Sequence, residues 1–486
     1  MLIEKFKDSV INNPSHICIT DKRDYTYQEI YDLAICVREY IVKQKLMKNE
    51  GIGLIMPNSA FYVAAVLGCY MAGHPLILFD KSIKQYELNQ FIEKLYISHL
   101  LVFEQIVPEF SFKSGRIENI NQIEASFIET GQTHIDGVFL EGDFICQFTS
   151  GTNGLSKACI RTEKAVFNEI FETNKILKIS EADHFLILPP IHHSYGLIAG
   201  VLLPLCYGCK IQFVEQFIPA DVLKLLSDKQ VNVVFAVPFM YKILIESLKQ
   251  VITVKKSQYS FEHLKYCFSA GALLDPGLSS LFYSLFKQHI CNDYGSTETG
   301  VICLNIDKNH MDYAGVPVDY KIDIVDESRN VLPTGQTGSI LLSGKSLFRR
   351  YAIFNPAYDS DILNGTWLTG DIGYKNEEGY VYVKGRASHM INISGCKVDP
   401  VEVENVLLQY PGITQAVVVG VEKEYMDKYL KAFIVVDGII KETEVYAFCK
   451  KLLTDYKVPR AIQIVDEIPK TQTGKVIRKN LLNMLR

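Results

Sequence analysis

Short runs of consecutive apolar residues alternate with amphipathic stretches over the first two-thirds of this chain. Residues 220–230 carry Val222, Leu223, Leu225 and Leu226 on one stripe behind Pro219. That spacing predicts a helix, and a proline at its first turn loses no hydrogen bond. Residues 231–237 form an apolar run ending at Pro238, the pattern of a strand buried on both faces. Residues 143–148, 184–188, 210–214 and 264–268 are similar strand-like runs. The apolar stretch from Tyr62 to Phe79 is broken by Gly68, Gly73, His74 and Pro75, which predicts a buried helix followed by a strand, not a membrane span. Such alternation predicts α/β layers with ligands at the strand ends.

From about Gly315 the pattern changes to strands between tight turns, at 320–325, 339–342 and 380–384. The turn formers are Pro333-Thr334-Gly335 and Glu377-Glu378-Gly379. After Arg386 come a helix at 400–408, strands at 415–420 and 431–436, and a helix at 442–453, about the size of an independent small domain. The predicted class is α/β. A large N-terminal domain over 1–385 contains layered α/β subdomains and a β-rich one; a small, mobile α+β domain covers 386–486, with the boundary at 385–389.

Composition narrows the function. At 486 residues the chain suits two or three cores, and 48% hydrophobic against 22% charged residues describes a well-buried globular protein. A net charge of −5 argues against a general nucleic-acid binder. The twelve cysteines are scattered, and the lone C-x-x-C of Cys206 and Cys209 has no second pair to complete a metal site. It reads as buried small side chains flanking a turn, and unpaired thiols suit a reducing compartment. The N-terminal segment is charged throughout and lacks the apolar core of a signal peptide, so a cytoplasmic location is expected.

Four polar segments carry candidate chemistry, and each alone is also compatible with an ordinary turn. Phe148-Thr149-Ser150-Gly151-Thr152-Asn153-Gly154-Leu155-Ser156-Lys157 combines hydroxyls, two glycines and a lysine, a set that suits phosphate. Its spacing is not that of a P-loop. Asn292-Asp293-Tyr294-Gly295-Ser296-Thr297-Glu298-Thr299-Gly300 offers a ring to stack on a purine, a hydroxyl for phosphate and a carboxylate for Mg2+. Trp367-Leu368-Thr369-Gly370-Asp371, with Gly385-Arg386 after it, places a carboxylate where ribose hydroxyls could be accepted. Pro469-Lys470-Thr471-Gln472-Thr473-Gly474-Lys475 puts a lysine beside a flexible glycine.

In this order and spacing the segments resemble the adenylate-forming superfamily of acyl-CoA synthetases, adenylation domains and luciferases. The resemblance extends from Tyr25-Thr26-Tyr27-Gln28-Glu29 to Lys475. It includes Ser269-Ala270-Gly271-Ala272-Leu273-Leu274 and the small-domain run Gly395-Cys396-Lys397-Val398-Asp399-Pro400. The resemblance implies an acid–thiol ligase using ATP, Mg2+ and coenzyme A. Residues 149–157 would grip the β- and γ-phosphates, through Thr149, Ser150, Gly151, Thr152, Asn153, Gly154 and Lys157. Thr297 would bond the α-phosphate and Glu298 would coordinate Mg2+. Tyr294 would stack on adenine, with Gly271, Ala272, Asp293 and Gly295 around it. Asp371 and Arg386 would hold the ribose, and Lys475 would bridge the acid's carboxylate and the phosphate. Gly395 and Lys397 would line the path of the pantetheine thiol.

The chain departs from the family pattern at Asn153, Ser156 and Ala158, where Thr, Pro and Gly are usual, and at Ser388, where the hinge is normally Asp or Lys. Ala387, Ser388 and His389 remain alternative pivots. Pro190-Ile191-His192-His193-Ser194-Tyr195-Gly196 resembles the segment in which acyl-CoA synthetases carry a histidine and amino-acid adenylation domains an aspartate. His193 takes that place, and an ammonium beside it would lack a counter-charge, which favours a fatty or aromatic acid. The acceptor is expected to be CoA, or alternatively a separate carrier protein. A non-catalytic ATP-binding module is the rival from another class, and it leaves Glu298 and Lys475 without a purpose. The absence of their glycine motifs argues against a P-loop kinase or a dinucleotide enzyme.

Overall fold

The computed structural model describes the chain apart from residues 108–109, 112–116, 121–122, 136, 150–156, 229, 256–258, 273, 353–361, 364, 387–390, 394–395, 399, 424–425, 454–456, 472–475 and 484–486. It is an α/β protein that divides into two compact units, Met1–Ile322 with Leu342–Trp367, and Asp323–Leu341 with Leu368–Arg486. The expected boundary at 385–389 falls within the second unit, and of it residues 387–389 lie outside the described residues.

Two sheets organise the first unit. In the nine-stranded sheet the strands Ile290–Ser296, Tyr266–Ser269, Val233–Ala236, His184–Ile187, Lys210–Phe213 and Ile17–Thr20 run parallel in that spatial order, with antiparallel strands at both edges. Alternate side chains enter separate cores. Phe185, Ile187, Val233, Phe235 and Phe268 face one, while Leu186, Val234, Ala236 and Cys267 face the other beneath the helices Pro219–Ser227, Pro238–Lys255 and Pro276–Phe286. Burial on both faces is why these strands read as unbroken apolar runs. The eight-stranded sheet holds Leu76–Phe79, Ile52–Ile55 and His99–Phe103, with Asp143–Thr149 parallel beside Leu76–Phe79.

The helix Ala60–Met71 is buried on nearly all sides, as its apolar sequence requires. Gly68 lets it cross closely over the helix Tyr27–Gln44, because a Cβ there would overlap Ala34 O and the Val37 side chain. The Thr26-x-x-Glu29 pattern closes a capping box. Glu29 N donates to Thr26 Oγ1 at 3.2 Å, and Glu29 Oε2 accepts from Thr26 N at 2.7 Å.

The expected elements are present with shifted ends. The helix expected over 220–230 is Pro219–Ser227, because Asp228 turns to extended backbone at ψ 124°. The strand expected over 264–268 is Tyr266–Ser269, since Leu264 N closes a turn onto Phe261 O. Residues Tyr195–Leu202 form a π-helix, for which no motif or period in the chain is a signal. Cys206 and Cys209 are buried; burial pushes the Cys206 thiol up to about 12, so it is unreactive at neutral pH.

The second unit contains most of a five-stranded sheet, in which Thr366–Lys375 pairs antiparallel with Val381–Arg386. Beyond it, the hairpin Ile413–Lys423 with Met426–Val436 is joined by Ala461–Ile464 and covered by Pro400–Leu407 and Glu442–Leu452. Val403, Leu407, Val418, Ala432, Val445 and Cys449 form its core. No helix among the described residues is long and apolar enough to cross a membrane.

Candidate active site

The phosphate-type loop is bracketed by an antiparallel pair. Thr149, at the end of Asp143–Thr149, lies opposite Lys157, the first residue of Lys157–Thr162. Ser150, Gly151, Thr152, Asn153 and Gly154 lie outside the described residues. Lys157 and Cys159 share one face of their strand, since side chains alternate with period two. The short edge strand Arg350–Tyr351 adds beside them with Tyr351 opposite Cys159. Lys157 Nζ therefore reaches the face of the Tyr351 ring, 5.0 Å from its centroid.

The second candidate segment runs along the strand Ile290–Ser296, through a tight turn, into Gly300–Asn305. Asp293, Tyr294 and Gly295 occupy the strand; Thr297 and Glu298 occupy the turn. Hydrogen bonds fix this turn from several sides. Phe348 N donates to Glu298 O at 2.7 Å, Tyr320 Oη donates to Thr299 O at 2.6 Å, and Cys159 Sγ lies 3.7 Å from Thr297 O. Tyr351 Oη donates to Glu298 Oε1 at 2.9 Å. The structure thus brings Lys157 and Glu298 to one tyrosine.

A buried ion pair holds the far end of the turn. Arg161 Nη1 donates to Glu169 Oε2 at 2.7 Å and Nη2 to Ser346 O at 2.8 Å, while Glu169 Oε1 accepts from Val301 N at 3.0 Å. Gly300 sits at φ +65° against that carboxylate, and any Cβ there would overlap it. Burial raises the Glu169 pKa, with the guanidinium and the Val301 N–H opposing. Asp293 is also buried, and burial, with Glu169 nearby, pushes its carboxyl well above the usual carboxylate range. Its surroundings therefore disfavour the anionic form.

Gly271 and Ala272 are exposed just beyond the strand Tyr266–Ser269, which runs beside Ile290–Ser296, so both flank Asp293 and Tyr294 at the carboxyl end of the sheet. His193 follows the strand His184–Ile187 and precedes the π-helix. Gln147 Nε2, from the strand that ends at Thr149, donates to His192 O at 2.8 Å, tying this segment to that strand. The His192 and His193 rings lie 4.0 Å apart, and His192 Nε2 faces Asp80 Oδ2 at 3.8 Å.

Burial and then its neighbour His193 push His192 down to about 3, and burial lowers His193 as well, Asp80 opposing in both. A histidine that binds its proton less readily folded than unfolded stabilises the fold fully above its ordinary pKa of about 6.5 and loses that contribution as pH falls below it. The thermal midpoint should therefore fall steadily from pH 6.5 to pH 5, with His192 alone accounting for about 2 kcal/mol at the lower limit. His192→Gln should visibly flatten that slope. Superimposable pH–stability curves for the two proteins would refute the assignment.

Asp371 and Arg386 lie in the second unit and face each other across the Thr366–Lys375 and Val381–Arg386 pair, with Arg386 Nε 2.7 Å from Asp371 Oδ1. Arg386 Nη1 also donates to Thr369 O at 3.0 Å. Lys397 is on the strand Cys396–Val398 of the same unit. Gly395 and Lys475 lie outside the described residues.

Tyr351, Gln147, Arg161 and Glu169 were missed by the sequence reading, because none belongs to a motif and their partners are remote in sequence. The donor set suits Mg2+. Glu298 supplies a hard, anionic oxygen, and no cluster of three or more His, Cys, Asp or Glu side chains gathers among the described residues to form an all-protein cage. Mg2+ is commonly held by one or two carboxylates together with substrate phosphates.

The AMP-binding enzyme family matches residues 6–352, and the AMP-binding enzyme C-terminal domain matches residues 402–475. A putative acyl-CoA ligase of Bacillus subtilis is 27% identical over 91% of this chain and 90% of its own length. The mitochondrial acyl-coenzyme A synthetase ACSM3 of Pongo abelii is 30% identical over 90% of this chain and 79% of its own. In three dimensions the chain is similar to ATP-bound MatB from Rhodopseudomonas palustris, with a TM-score of 0.86 and 20% identity over 99% of this chain and 98% of that one. The chain thus belongs to the AMP-binding enzyme family and is an adenylate-forming acid–thiol ligase.

Proposed function

We propose that the chain activates a fatty or aromatic acid as its acyl-adenylate, with ATP and Mg2+, and then transfers the acyl group to the thiol of coenzyme A. The observation that carries this reading is the meeting of Lys157 and Glu298 at Tyr351, beside Thr149: a cation and a hard anion at one place, as a metal–polyphosphate requires. Thr149, Lys157 and the residues 150–154 hold the β- and γ-phosphates, and Thr297 the α-phosphate. Tyr294 stacks on adenine, edged by Gly271, Ala272, Asp293 and Gly295, while Asp371 and Arg386 hold the ribose. Lys475 bridges the two reacting anions. Mg2+, when bound at Glu298, offsets the charge of the phosphates. The acid needs no base, because it is already ionised at neutral pH.

Lys475 serves the first step and Gly395 with Lys397 the second, and all three lie beyond Arg386. A rigid module presents one face to a site at a time, so the domain beyond residue 385 rotates between steps about the segment 387–389. The chain acts in the cytoplasm.

The acid preference rests on charge. Burial disfavours the charged forms of His192, His193 and Asp293 alike, so none of the three is suited to pair with an α-ammonium group. Asp80 keeps its charge, but its Oδ1 accepts from both Ser82 N and Ser82 Oγ and its Oδ2 faces His192. Exchange of labelled pyrophosphate into ATP, measured with a panel of acids, should favour apolar fatty or aryl acids by at least about tenfold over any α-amino acid. Strong exchange with one amino acid and none with simple acids would overturn the preference and direct attention to Asp80. No acid-dependent exchange at all would overturn adenylation.

A further inference from the structure

The hydroxyl and the ring of Tyr351 meet two groups of opposite charge. Its hydroxyl donates to Glu298 Oε1 at 2.9 Å, and its ring face carries Lys157 Nζ at 5.0 Å. We propose that Tyr351 is a positioning residue, setting the orientation of the Glu298 carboxylate and the place of the Lys157 ammonium before nucleotide enters. This rests on the reading of Glu298 as the Mg2+ ligand and Lys157 as a phosphate contact.

Three observations support a positioning role over incidental packing. Tyr351 is itself fixed: its strand pairs with Lys157–Thr162, Ala352 N donates to Ala158 O at 2.7 Å, and its ring packs on Phe348 at 4.8 Å. The same short segment holds the backbone of Glu298, because Phe348 N donates to Glu298 O at 2.7 Å. Backbone and carboxylate are therefore fixed by neighbouring residues of one segment. Lastly, Tyr351 and Glu298 are both buried, so water competes little for the phenol–carboxylate bond.

The chemistry follows from the donor count. A phenol donates one hydrogen bond, which occupies one carboxylate oxygen and fixes the plane of the group. Among the described residues Oε2 accepts no hydrogen bond, so it could meet Mg2+ as a single oxygen ligand. The aromatic face holds an ammonium without neutralising it, so Lys157 keeps its charge for phosphate.

Tyr351→Phe separates the two roles, because it removes the hydroxyl and retains the ring. The Mg2+ concentration for half-maximal pyrophosphate exchange should rise about threefold to tenfold, with the KM for the acid unchanged and the KM for ATP at saturating Mg2+ within twofold. Mn2+ binding in the presence of ATP, followed by loss of the free-ion electron paramagnetic resonance signal, should weaken by the same factor without any turnover. Tyr351→Leu should add a rise in the KM for ATP, since the ammonium loses its ring. In a Glu298→Gln background, Tyr351→Phe should change metal dependence by less than twofold, because its target is already altered.

Wild-type Mg2+ and Mn2+ curves for Tyr351→Phe would overturn the proposal. So would an equal effect of Tyr351→Phe in both backgrounds, which would show that it acts elsewhere than through Glu298. Wild-type metal dependence of Glu298→Gln alone would instead overturn the metal assignment beneath it. A thermal midpoint for Tyr351→Phe near wild type shows that a shifted metal curve is not partial unfolding.

Discussion

Replacing Lys475 by alanine is expected to lower acid-dependent pyrophosphate exchange by about a hundredfold to a thousandfold while ATP binding changes only a few-fold. The magnitude is that of removing one preorganised charge from a site where charge develops in the transition state. In the first step a carboxylate approaches the phosphorus of a polyanion, so repulsion grows as the reacting atoms close. A lysine that bridges both anions offsets that repulsion most at the moment of transfer, so its loss should appear in kcat and not in ground-state affinity. On either side of this segment Lys470 and Val476 pair antiparallel, and Ile477 N donates to Pro469 O at 2.9 Å. Thioester release from preformed adenylate should be nearly unaffected, because that step needs no charge at this point. Near-normal exchange in the variant would remove Lys475 from the reaction, and an equal loss of ATP binding would make it a nucleotide anchor.

The parts of the fold that sequence made legible are those where burial is uniform. Val233–Ala236 and Phe185–Ile187 are apolar because both faces of their sheet are covered. Element ends were less legible, because they depend on single backbone angles such as ψ at Asp228. The segment Tyr195–Leu202 is apolar on every side, so its sequence has no period from which a helix type could be read. For the candidate site, local order was enough to single out Thr149, Lys157, Thr297 and Glu298 as candidates, since they stand in compact polar motifs. It was not enough for Tyr351, whose partner Glu298 lies 53 positions away and which meets it only because an edge strand closes beside Lys157–Thr162. Arg161 is a similar case. A charged residue inside a strand suggests solvent, yet this one is buried with both terminal nitrogens donating, one to Glu169 and one to Ser346 O, while its Nε finds no acceptor among the described residues.

That buried pair supports the second large expectation: Arg161→Met should destabilise the first unit by about 3–5 kcal/mol. The cost comes less from the lost attraction than from what remains. Glu169 is buried, and without the guanidinium its carboxylate keeps one donor among the described residues, Val301 N, for two oxygens. Ser346 O loses its Arg161 donor as well. Protonation of Glu169 would relieve part of the penalty, so the loss should be largest at high pH and shrink as pH falls toward the raised carboxyl pKa. Glu169→Gln added to Arg161→Met should recover at least half of the loss, because the amide oxygen still accepts from Val301 N and no charge is buried. The measurement is denaturant unfolding of the single and double variants at two pH values. A single variant within about 1 kcal/mol of wild type would mean that surrounding packing, not the pair, holds this region. The pair also bears on function through Gly300, whose positive φ and close approach to Glu169 fix one end of the turn that carries Thr297 and Glu298. A recovered double variant should therefore regain stability before it regains the wild-type Mg2+ requirement, since the amide reproduces the hydrogen bond but not the guanidinium that orients it.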